Sequence, residues 1–165
     1  MESKELLRDN LIKSLDRVLL RIEDMREHGL VLSTPNSGAH TLWTLGHLAY
    51  IEEMVIREFM LGESNPLAHW AEIFDGLDMC WKADDYPSFD EVLETCRETR
   101  KRTLGLLDSL AENDLDKQGA KTPKGWESTF GTYRLCMQYA ADHWYMHRGQ
   151  LADARHAAGI DRMWV

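Results

Sequence analysis

The chain has 165 residues, 44% apolar and 28% charged, the balance of a single globular domain over residues 1–165. No apolar run reaches the roughly 20 residues that cross a bilayer. The opening "MESKELLRDNL" also lacks the basic-then-apolar order of a signal peptide, so a cytoplasmic protein with no membrane partner is expected. With 28 acidic against 19 basic residues the formal charge is −9, which argues against a nucleic-acid partner, since such binding needs clustered Lys and Arg.

Leu7, Leu11, Leu15, Val18, Ile22 and Met25 recur at spacings of three and four and predict a first helix from about residue 3 to 27, stopped by Gly29. "STPNSGAH" is made of turn residues. A second helix is predicted from Thr41 to Leu61. Leu42, Leu45, Ala49, Ile56 and Phe59 form one apolar stripe, with Trp43, His47, Ile51 and Met54 on another beside it. A helix apolar around so much of its circumference is expected to be the most buried.

"GESNP" ends that helix. The following segment, to Pro87, is long and aromatic, with room for a short helix in "NPLAHWAEIFDGL". A connection of this length is uncommon between antiparallel neighbours and is long enough to return the chain across a bundle. Ser88, followed three residues later by Glu91, reads as a capping box. The third helix runs from it through Val92, Cys96, Thr99, Thr103, Leu107 and Leu110. Its "RETRKR" run reads as a solvated face.

A fourth helix is predicted to begin near Ser128 or Thr129 and end at Gly159. Its seam is Tyr133, Met137, Ala140, Trp144, His147, Leu151, Ala154 and Ala158, with Cys136 and His143 alongside. No strand-like alternation competes, so the expected class is all-α, a four-helix bundle. Cys80, Cys96 and Cys136 form no CxxC pair, and Cys96 and Cys136 on apolar stripes read as inert core thiols.

Three of the seven histidines carry the functional argument. His143 and His147 stand four residues apart, one above the other on a helix face. His47 faces inward on the most apolar helix. An HxxxH pair alone is more often core packing than a ligand pair. Three inward imidazoles among Trp, Ile, Met, Ala and Leu are harder to explain by packing, because each unpaired buried polar atom costs roughly 1–3 kcal/mol. Three histidines with a fourth position open form a catalytic metal pattern, not a structural one. Trp144 stands where a zinc protease of the HExxH type needs its general-base Glu, which excludes that class. His28, His40, His69 and His156, at helix ends or in loops, read as surface residues, with His40, just before the second helix, the one plausible further polar group near the site.

"TLWTLGHLAYIEE" and "ADHWYMHRGQLADARHAAG" together resemble the DinB-like superfamily, in particular its bacillithiol- and mycothiol-dependent transferases. The resemblance spans essentially the whole chain and implies an up-down-down-up bundle with a long crossover between helices two and three. Carried over residue by residue, it implies His47, His143 and His147 as ligands of a divalent metal, zinc or nickel. It further implies a homodimer, a small-molecule substrate and a low-molecular-weight thiol.

Three functions are therefore expected in order. The first is a metal-dependent S-transferase or related hydrolase. Trp70, Trp81 and Trp126 are then candidates for excluding water, a structural role being slightly favoured for each, and Gln150 is a candidate for orienting a ligand or substrate, its alternative being to satisfy backbone groups. The second is a non-catalytic metal-binding bundle of a stress response. The third is a metal-free bundle serving as a dimer module.

Overall fold

The computed structural model describes residues 2–31, 38–76, 79 and 82–160. Within them the chain is all-helical, its only extended pairing an isolated bridge between Gln118 and Thr132. The long helices are α1 (Ser3–Leu19), α2 (Thr41–Glu53, continuing as a π-helical segment Met54–Leu61), α4 (Phe89–Ser109) and α6 (Tyr133–Ala157). Two single-turn helices, α3 (Ala71–Phe74) and α5 (Glu127–Phe130), lie in the connections.

α1 stops eight residues before the position its periodicity predicts. Beyond Leu19 the backbone bonds tighten to i→i−3, as in Ile22 N–H to Leu19 O and Met25 N–H to Ile22 O, both near 2.9 Å. Three residues per turn keep Ile22 and Met25 inward after the α-helix has ended, so the apolar spacing continues without it. α2 ends as expected. Gly62 takes the left-handed conformation at φ 74°, and Glu63 N–H bonds back to Arg57 O at 2.8 Å. α6 starts four residues later than predicted. Its N-cap is Thr132, whose Oγ1 accepts from Leu135 N–H, and α5 occupies the Ser128–Thr129 position instead.

α1 packs on α4 and α6, and α2 packs on the same two helices. The start of α1 meets the end of α4 through Lys4 Nζ to Leu110 O at 2.6 Å. The 3₁₀ turn beyond its far end, Glu23–Met25, meets the first half of α4 through Arg97 to Glu23 at 2.7 Å. α2 and α4 run in register, joined by Cys96 to Leu45 O and then by Arg100 to Glu52. α1 and α6 meet at Arg17 with Tyr145, and the 3₁₀ turn after α1 meets α6 through Asp24 with Arg155.

Every residue of Thr41–Glu53 is buried except His47, which is half-buried. That is the burial expected of α2, and it singles out the one residue that opens outward.

The "RETRKR" run is not a uniform solvated face. Arg100 is fully buried and touches all the other long helices. It pairs with Glu52 at 2.8 Å, donates to Leu11 O, to Ser14 Oγ at 2.8 Å and to Ala140 O at 3.1 Å, and stacks over Trp144 at 4.9 Å. A charge can be held there because its donors find acceptors on every side. Charge density along the sequence does not reveal that position 100 points inward.

Candidate metal centre

α2 and α6 bring His47, His143 and His147 together, with one ligand-capable atom from each lying within 4.8 Å of the others. His143 and His147, one turn apart on α6, approach Nε2 to Nε2 at 3.1 Å. The His47 ring lies 5.1 Å from His143 and 5.0 Å from His147, centroid to centroid. Two aromatic rings brace the cluster. Trp43 stacks on His47 at 4.4 Å, and Tyr139 stacks on His143 at 5.3 Å.

The partners of the other ring nitrogens fix which atoms face inward. His47 Nδ1 lies 2.7 Å from the Phe74 carbonyl, which can only accept, so His47 carries its proton on Nδ1 and leaves Nε2 bare. His147 Nδ1 donates in the same way to Gln150 Oε1 at 2.5 Å. The second residue of each pair is the kind of outer partner that orients a ligating histidine. His143 Nδ1 is buried without a partner. His143 Nε2–H donates to His147 Nε2, and coordination through His143 Nε2 would require that proton to move to Nδ1. Two bare Nε2 atoms and an exchangeable third form a donor set suited to a borderline divalent metal.

All three imidazoles are held neutral. Burial pushes His47 below its ordinary value, although the Phe74 carbonyl and the Asp75 charge pull it upward. Burial, then the His147 and His47 charges, push His143 down to about 2. Burial, then His47, push His147 down to about 4 against the Gln150 bond. Neutral imidazole is the form that binds a metal. The proton competition expected below about pH 6.5 from an ordinary histidine is therefore displaced downward.

A cavity of about 390 Å³ opens onto the cluster, lined by Gly38, Ala39, Trp43, His47, Met79, His147 and Gln150. Two of the tryptophans considered for excluding water, Trp70 and Trp126, do not line this mouth. Trp70 is buried against Phe74 at 4.9 Å. Trp126 is 55% exposed and lines a separate apolar cavity with Phe130 and Tyr139. Trp81 and Cys80 lie outside the described residues. Trp43 takes that place, and its stripe position next to His47 was the available signal.

His40 corrects a second expectation. It is not on the surface: it is fully buried, and its Nδ1 accepts from Trp43 N–H as the N-cap of α2. His28, His69 and His156 are exposed, as expected. Burial raises the thiols of Cys96 and, to about 12, Cys136, in keeping with inert core cysteines.

Fold and site together define a helical bundle with a three-histidine cluster at the base of a pocket. The DinB superfamily profile matches residues 10–151, and the chain belongs to that superfamily. A crystal structure of a conserved protein from Enterococcus faecalis is similar, with a TM-score of 0.67 at 17% identity over 96% of this chain and 98% of that one. At that identity the likeness concerns the fold. No curated protein matches the chain.

Proposed function

We propose that this DinB-like protein, one bundle domain over residues 1–165, binds a divalent metal through His47, His143 and His147. We further propose that it acts as a metal-dependent S-transferase, joining a low-molecular-weight thiol to a small electrophilic substrate. The observation that carries the reading is the convergence of three imidazoles from two helices far apart in sequence. The pocket supports it: about 390 Å³ is within the usual range for small-molecule sites and reaches His47 and His147 directly. The helix contacts support the family's up-down-down-up order, since α1 meets α4 head to tail while α2 and α4 run in register.

A bound dication supplies a Lewis-acidic centre that favours the deprotonated, nucleophilic form of a small thiol. The protein's own groups do the remaining work. His47 and His147 present their Nε2 atoms, with Nδ1 tied to Phe74 O and Gln150 Oε1. Trp43 covers the His47 ring and walls the pocket. Gln150, exposed at the mouth, orients His147 and lines the pocket with a polar side chain. The choice of zinc or nickel and the homodimer belong to the proposal through the family resemblance.

The test is thiol-dependent turnover of chlorinated and epoxide electrophiles by metal-loaded protein. Loss on chelation and recovery with zinc or nickel is expected. Stoichiometric metal without turnover would leave a metal-binding bundle and remove the transferase.

A further inference from the structure

The segment between α2 and α4 delivers one backbone atom to the centre, and the means of delivery is specific. Phe74, at the end of α3, is fully buried. Its carbonyl holds His47 Nδ1 at 2.7 Å, while its ring lies directly over Gly46, the residue before that histidine. A Cβ on Gly46 would overlap the Cε1 and Cζ atoms of the ring, far inside van der Waals contact. Nor is there an easy retreat for the ring. Trp70 flanks it at 4.9 Å and Tyr86 at 5.7 Å, and Tyr86 in turn meets the buried His40 edge-on at 5.2 Å. The glycine is helical, so its requirement comes from this close approach and not from its backbone angles.

We infer that Gly46 and Phe74 are positioning residues for His47: the ring seated on the bare glycine fixes the Phe74 carbonyl, and that carbonyl locks His47 as the Nδ1–H tautomer with Nε2 turned to the cluster. This rests on the metal reading above for its consequence, but the tautomer lock belongs to the protein without metal. It also gives the crossover a function. The packing of α3 on α2 sets a ligand, so the "GH" pair and a phenylalanine far along the chain act as one unit. Displacing the carbonyl leaves His47 free to rotate or to carry its proton on Nε2, from which it must first be moved before that atom can coordinate.

Two readouts test it, each on full-length protein checked for folding by circular dichroism. In metal-free protein, nitrogen NMR of the His47 ring reports the tautomer directly. Wild type is expected to be dominated by the Nδ1–H form, and Gly46→Ala to lose that dominance. In cobalt titrations Gly46→Ala is expected to bind 10- to 100-fold more weakly, the usual effect of losing an outer partner of a ligating histidine.

Phe74→Leu, which keeps the backbone, removes Cε1 and Cζ and leaves near Gly46 only a Cδ methyl that can rotate away, provides a second variant should Gly46→Ala fail to fold. Alone it is expected to weaken cobalt binding and mix the tautomers less than Gly46→Ala does. Combined with Gly46→Ala it is expected to return both readouts to its own level. Wild-type protein that takes up no cobalt would overturn the metal reading, and this inference's consequence with it. Wild type that binds cobalt, with a folded Gly46→Ala or Phe74→Leu that binds equally tightly in an unchanged tautomer, would overturn this inference alone.

Discussion

Replacing Glu52 with leucine should destabilise the bundle more than any surface substitution. Glu52 and Arg100 are each about 1% exposed at the side chain and pair at 2.8 Å, with a second contact from Arg100 Nε at 3.0 Å. Leucine fills nearly the same volume but strands the guanidinium in the core with only Leu11 O, Ser14 Oγ and Ala140 O as acceptors. Breaking one side of a buried pair costs about 3–5 kcal/mol. For a chain of this length that corresponds to a fall in Tm of roughly 6–20 °C. Removing both charges together, as Glu52→Leu with Arg100→Met, should recover most of the loss, because no buried charge is then left unpaired. Urea denaturation of the wild type, both single variants and the double gives the coupling energy, provided the m-values agree. A cost below about 1 kcal/mol for Glu52→Leu would refute the claim that the pair is desolvated.

Proton competition at the histidine cluster should appear in an unusually low window. The folded values lie below the unfolded histidine value of about 6.5, so metal-free protein should lose stability as the pH falls from about 6.5 toward 4, the unfolded chain taking up the protons first. The Tm gain from zinc should persist from pH 7.5 to 5 and fall near 4, where His147 protonates; a gain already gone at pH 6 would contradict the buried, neutral cluster. Cys96 and Cys136 should resist thiol reagents at pH 8 in native protein and react after denaturation, as mass spectrometry of the labelled peptides would show. Rapid native labelling of either would place that thiol outside the core.

The sequence carried the helices and the three ligand candidates because period and spacing are local signals. Val18, Ile22 and Met25 kept their inward spacing through a change of helix type, so the core was legible where the helix end was not. The buried Arg100 is hidden from charge patterning because its partners lie on α1, α2 and α6, although its spacing from Cys96, Thr103 and Leu107 places it on their inward face. The acceptor for His47 was hidden for a related reason: it is a backbone carbonyl, with no side-chain signature, brought in by the fold of the crossover. A position just before a helix is ordinarily exposed, and the burial of His40 has no local signal because Tyr86, far along the chain, covers it.

The central claim is that His47 joins His143 and His147 in one metal centre, and metal stoichiometry tests it most directly. Two residues one turn apart on α6 can chelate weakly without the bundle, whereas His47 contributes only if α2 is packed against α6. Elemental analysis of tag-free wild type and of His47→Ala, both confirmed folded by circular dichroism, should find about one divalent metal per chain in the first and little in the second. A metal-free wild type, or an unchanged stoichiometry in well-folded His47→Ala, would contradict the three-histidine centre.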